Sequence, residues 1–253
     1  MHRLKKLSLI AGVLALCLVF TSIGAGAKSY KTKKNKKGYA IASGYDYGKP
    51  VPKADTQPLG YMNDAAVFGD SRTEGLYLYT DLKDTKAQKY CDIGLNCETV
   101  LTKKFKTVSG KKATAIQHLK ANKKSINKVY FLFGLNELGW SETTFIKNYK
   151  KLIVTVRDII PDAIIYVGEI IPVTKSKDLT DKVHNNWKVR SFNRELKKLC
   201  EQEQIFFIET YPLMTDGEGN LPEGISSDGI HFGSTFTKKW LNLLLSRTVE
   251  LKK

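Results

Sequence analysis

The feature that most constrains how this chain folds is an alternation, from Ala65 onward, of short apolar runs with amphipathic stretches. The runs are "AAVF" at 65–68, "QKYCDI" at 88–93, "KVYFLF" at 128–133, "AIIYVGEI" at 163–170 and "IFFIET" at 205–210. They are brief, rich in β-branched and aromatic residues, and nearly continuous in apolar character. A strand with one wet face alternates polar and apolar residues. A run without that alternation fits a strand covered on both faces, as in a parallel sheet. The stretches between them carry a helical period. Phe145, Ile146, Tyr149, Leu152, Ile153, Val156 and Ile160 recur at three- and four-residue spacing after Ser141, and Pro161 follows where a helix would stop. A second such pattern covers 185–202, with Trp187, Phe192, Leu196 and Leu199 expected inward. A last one carries Phe236, Trp240, Leu243, Leu244 and Val249. Right-handed crossovers between parallel strands place helices on both faces, giving a three-layer α/β/α sandwich around about five strands.

Ahead of this pattern the chain changes character. "MHRLKK" is basic, "LSLIAGVLALCLVF" is an unbroken apolar run, and "AGA" at 25–27 offers small residues for cleavage. Residues 1–27 therefore read as an export signal. An uncleaved anchor is the competing reading, but the run is shorter than the roughly 20 apolar residues of a spanning helix. A lipid anchor on Cys17 is disfavoured by Leu16, which stands where a small residue is usual. Residues 28–60 read as a basic, flexible arm: Lys28, Lys31, Lys33, Lys34, Lys36 and Lys37 crowd its start, and Gly, Pro and Tyr follow. Residues 61–253 form the domain proper. The whole chain of 253 residues, 42% hydrophobic, is long enough for one such domain with a substantial core.

The formal net charge is +16. For an exported protein, an anionic cell wall or membrane surface is the partner such an arm suits, alongside a plain solvated tail. The same export signal argues against nucleic acid. Cys91, Cys97 and Cys200 follow the signal without a Cys-x2-Cys pair, and the histidines are scattered, so no metal site is expected. Buried free thiols are expected rather than a Cys91–Cys97 bridge.

Ligands of open parallel sheets bind beyond the carboxyl ends of the strands. Four such ends carry chemistry here: Gly69-Asp70-Ser71, Gly94, "GLNELGW" from Gly134, and "SSDGIHF" with Asp228 and His231. A serine hydroxyl needs a base to become a nucleophile, and histidine suits that task. Asp228, three residues before His231, can reach the ring within one turn and fix its tautomer. The Ser71 N–H, the Gly94 N–H and the Asn136 side chain could converge on a developing oxyanion. Asp70 is expected to cap a helix, and Arg72 to make a local structural contact rather than an anion-binding one. His118 is expected on a helix surface and His184 in a loop. Residues 172–184 form a polar loop on the strand-end side.

"FGDSR" at 68–72, Gly94, "GLNE" at 134–137 and "DGIH" at 228–231 resemble, in order, the four blocks of the SGNH/GDSL hydrolase superfamily, over roughly Ala65 to the C-terminus. The resemblance implies a flavodoxin-like sandwich. It also implies Ser71 as nucleophile, His231 as base, Asp228 as its orienting acid, and Ser71, Gly94 and Asn136 as oxyanion donors. Arg72, Glu137 and Phe232 depart from the blocks, where leucine, aspartate and proline are usual. No cofactor or metal is implied. The expected activity is that of an exported serine esterase acting on short acyl esters, such as O-acetyl groups on a carbohydrate or wall polymer, in a bacterial cell envelope. A non-catalytic glycan-binding module, an O-acyltransferase and a lysophospholipase are the competing expectations.

Overall fold

The computed structural model describes residues 26–106 and 112–252. The export signal and the Cys17 alternative fall almost wholly on residues 1–25, outside the described residues. In chain order the elements are β1 (Lys28–Lys34), β2 (Ala40–Ala42), β3 (Ala65–Gly69), α1 (Ser71–Tyr79), β4 (Gln88–Cys91), β5 (Lys104–Lys106), β6 (Lys112–Thr114), α2 (Ala115–Asn122), β7 (Lys128–Leu132), α3 (Glu142–Ile159), β8 (Ile164–Gly168), α4 (Lys175–Thr180), α5 (Asn186–Glu203), β9 (Phe206–Ile208), α6 (Tyr211–Met214), α7 (Ser234–Ser246) and β10 (Val249–Lys252).

The five apolar runs are the five strands of a parallel sheet in the order β4-β3-β7-β8-β9. Successive residues point to opposite faces, and both faces are covered. Phe68, Val129 and Phe131 join Phe145, Tyr149, Leu152, Phe192 and Leu196 of α3 and α5 in one core. Val67, Tyr130 and Leu132 join Leu76 of α1 and Trp240 and Leu244 of α7 in the other. The result is the expected three-layer α/β/α sandwich. Helix α3 starts where Ser141 accepts a hydrogen bond from the Thr144 N–H and ends just before Pro161. In register, Gly69 lies opposite both Cys91 and Leu132, so the strands end level and their following loops share one edge.

Three expectations are corrected. Trp187 is 65% exposed, because the inward stripe of α5 is Val189, Phe192, Leu196 and Leu199 and residue 187 is out of phase with it. Val249 is not helical: α7 stops at Ser246 and Val249 opens β10. His118 is buried, its ring 5.8 Å from that of Tyr90, and burial lowers its pKa.

The larger correction concerns residues 28–60, expected as a flexible arm. β1 pairs in parallel with β10 and antiparallel with β2 to form a second sheet. Beyond it the chain is stitched to the domain by Ala40 N–H to Pro161 O, Val51 N–H to Phe207 O and Ala54 N–H to Ser246 O, each at 2.8 Å. Ile41, Tyr47 and Val51 are buried in the same core as Trp240. Arg157, itself buried, lies 4.4 Å from the Tyr39 ring centroid and donates to the Ala40 carbonyl. The reason is the division of its side chains. The lysines face water, while the tyrosines and the "AIA" triplet between them cover apolar surface.

Candidate active site

The edge where the strands end level carries the four sequence blocks. At the end of β3, a Cβ on Gly69 would sit 2.0 Å from Thr73 Oγ1, so glycine lets α1 turn back onto its own strand. Asp70 caps the helix as expected, accepting the Arg72 N–H at 2.9 Å from a side chain that is buried. Burial pushes its carboxyl pKa up, against the pull of Arg72. Ser71 is the first residue of α1, a position whose N–H has no carbonyl a turn behind it within the helix.

Ser71 Oγ lies 2.8 Å from His231 Nε2, and His231 Nδ1 lies 2.6 Å from Asp228 Oδ2. Asp228 Oδ1 also accepts the N–H groups of Ile230 and His231, at 2.9 and 2.8 Å. The short loop is thus closed on its own carboxylate. Partial burial pushes the Asp228 pKa up, but the hydrogen bonds from the His231 ring and from these two N–H groups outweigh it and hold the carboxyl well below the usual range. An ionised Asp228 accepting from Nδ1–H leaves Nε2 of a neutral ring free to accept the serine proton. The His231 and Asp228 side chains remain 51% and 50% exposed, so the site is open to solvent.

Asn136 meets the loop that carries Gly94. Asn136 Nδ2 donates to the carbonyl of Leu95 at 2.8 Å, next to Gly94. An amide nitrogen carries two hydrogens, so a second donor remains. Gly94 is exposed with φ +72°, a conformation glycine adopts freely. Behind this pair, Glu137 is fully buried and accepts the Cys97 N–H at 2.8 Å. Burial pushes its carboxyl pKa up to about 8. Asn136 and Glu137 therefore tie the loop after β7 to the loop after β4 by two adjacent hydrogen bonds. Sequence reasoning marked Glu137 only as a departure from a motif. A charged letter gives no sign of burial, and its place after Asn136 was the one available signal.

The other candidates separate. Arg72 is buried, as the structural reading expects: it donates to the carbonyls of Ile230, Ile171 and Pro172. His184 pairs with Asp181 at 3.2 Å within its own loop. The polar loop over 172–184 contains α4 and leans on the histidine loop through Thr174 N–H to Gly229 O at 3.0 Å. Cys91, Cys97 and Cys200 are free and buried. Among the described residues no cluster of His, Cys, Asp and Glu could hold a metal ion.

A family model described as the GDSL-like lipase/acylhydrolase family matches residues 67–236, more than half of the chain. No curated protein sequence matches. Solved structures share the fold at low identity. A GDSL-like lipase from Bacteroides thetaiotaomicron superposes with a TM-score of 0.53 at 14% identity, over 74% of this chain and 88% of that one. Est24, a carbohydrate acetylesterase from Sinorhizobium meliloti, gives 0.50 at 11% identity, over 72% and 95%. A carbohydrate esterase family 3 protein from Talaromyces cellulolyticus gives 0.50 at 12% identity, over 71% and 93%.

Proposed function

Because the chain belongs to the GDSL-like lipase/acylhydrolase family, we propose that it is an exported serine esterase that removes short acyl groups, acetyl first among them, from a carbohydrate or cell-wall polymer. The observation that carries the reading is the hydrogen-bond chain from Ser71 through His231 to Asp228. Ser71 Oγ attacks the acyl carbonyl carbon as His231 Nε2 takes the hydroxyl proton. The tetrahedral adduct collapses, its bond to the alcohol oxygen breaks, and that oxygen takes the proton from His231. Water then attacks the acyl-serine ester and gives a proton to His231. The second collapse releases the carboxylic acid and returns the proton to Ser71 Oγ. Asp228 holds the ring and balances its charge while it is an imidazolium. The Ser71 N–H, the Gly94 N–H and the free hydrogen of Asn136 Nδ2 are the proposed oxyanion donors, each worth about 3 kcal/mol when well aimed.

The substrate class is supported by two features. His231 and Asp228 are half exposed, which leaves the pair accessible to an ester carried on a bulky polymer. Two structures that share the fold are described as a carbohydrate acetylesterase and a carbohydrate esterase. Export is supported by the basic-apolar-small pattern of residues 1–27. The test is acetate release by the purified protein from O-acetylated glycans beside p-nitrophenyl esters of increasing chain length. Turnover should fall as the acyl chain lengthens, and acetate should appear from at least one glycan. A preference for long-chain esters, with none released from glycan, would replace this reading by the lipase one.

A further inference from the structure

Two consecutive residues of α1 are bonded to two consecutive residues of the loop that carries the base. Ser71 Oγ meets His231 Nε2 at 2.8 Å, and Arg72 Nε donates to the carbonyl of Ile230 at 2.9 Å. The same guanidinium reaches a third segment. Its Nη1 donates to the Ile171 carbonyl, and its Nη2 to the Pro172 carbonyl at 3.1 Å. The ring of Phe232, the residue after the histidine, lies 5.6 Å away. The residue is 5% exposed, and burial lowers its pKa to about 10.

A guanidinium is costly to remove from water unless its donors are satisfied. Here they are met by backbone carbonyls of two segments far apart in sequence, which a planar fork suits and an ammonium does not. A leucine, which is much shorter, would leave those carbonyls without these donors. The loop's internal bonds to Asp228 set its shape and the rotation of the histidine ring. They do not set its distance from α1. Thr174 anchors Gly229 to the segment after β8, and Arg72 joins that same segment to α1.

We propose that Arg72 is a positioning residue: its guanidinium locks the Ile230–His231 backbone and the segment after β8 onto the helix that presents Ser71, and so holds Oγ and Nε2 at bonding distance. The inference rests on the proposed role of Ser71, so the test begins with the unmodified protein. Its labelling at Ser71 by a fluorophosphonate is measured first, and an unlabelled serine overturns that role and this inference together. Arg72→Lys and Arg72→Met are then compared with it below their melting temperatures. The expected result is a fall in kcat for p-nitrophenyl acetate of about 100-fold, with KM changed far less and the labelling rate falling in parallel. Arg72→Ala should regain activity on addition of millimolar guanidinium and not of methylammonium. A folded Lys or Met variant with the parent's kcat and labelling rate overturns the proposal. So does failure of all three variants to fold, which would make Arg72 a requirement of the fold and nothing more specific.

Discussion

At the scale of single residues, two aspartates lie near Ser71 in sequence or in space, and their surroundings assign them different work. Asp70 is buried and spends its carboxylate on the N–H of Arg72. Asp228 is half exposed and faces the His231 ring. Asp228→Asn should therefore lower kcat by roughly 10⁴-fold, the effect expected when the ring loses its tautomer. Asp70→Asn, which keeps a capping oxygen, should keep most of the activity of a folded protein. Steady-state kinetics on p-nitrophenyl acetate separate the two, and the reverse order would mean that the orienting acid is misassigned. Glu137 makes a prediction about stability. Burial raises its pKa to about 8, so the folded chain keeps a proton that the unfolded chain releases above about pH 4.3. Its contribution is fully present below that lower value and is lost as pH rises through about 8. Thermal unfolding of Glu137→Gln should accordingly gain on the parent protein as the pH is raised from acid to mildly alkaline. A constant difference across that range would contradict the raised pKa.

At the scale of elements, the central sheet and its main helices were legible in the sequence because burial on both faces leaves an unbroken apolar run. Ser141 and Pro161 bracket α3 from the letters alone, as the cap and the stop do in the structure. The second sheet was not legible. β1 reads "KSYKTKK", β2 has three residues, and the partner strand β10 lies at the other end of the chain. Pairing across so many residues leaves no local signal, and a strand whose outward positions are lysines looks like a solvated tail. The site divides the same way. Ser71, Asp228 and His231 were named from short motifs, and the loop before α7 carries the last two onto Ser71 at the end of β3. What Arg72 holds was hidden, because its acceptors are backbone carbonyls, which no side-chain letter announces.

At the scale of the whole molecule, one group of lysines sits at the end of the sheet opposite Ser71. Ser71 follows the carboxyl end of β3, whereas Lys123 and Lys124 precede β7 and, with Lys34, line a cavity of about 690 Å³ by Pro161 and Asp162, just before β8. On the adjoining hairpin, Lys34 and Lys37 pair with Asp162 and Glu203, while Lys31, Lys33 and Lys36 are exposed and form no ion pair among the described residues. A molecule docked on an anionic polymer through these lysines would turn its serine away from the contact. Replacing Lys31, Lys33 and Lys36 together with Gln should lower the salt needed to elute the protein from immobilised polyphosphate. Hydrolysis of p-nitrophenyl acetate should stay unchanged, and an unchanged elution would remove the hairpin from the account. The central claim is that one serine, at the start of α1, is the nucleophile. Intact-mass spectrometry after fluorophosphonate treatment tests it directly: the parent protein should gain a single adduct on Ser71 and Ser71→Ala none, whereas an unmodified parent, or an adduct that persists in the variant, would contradict it.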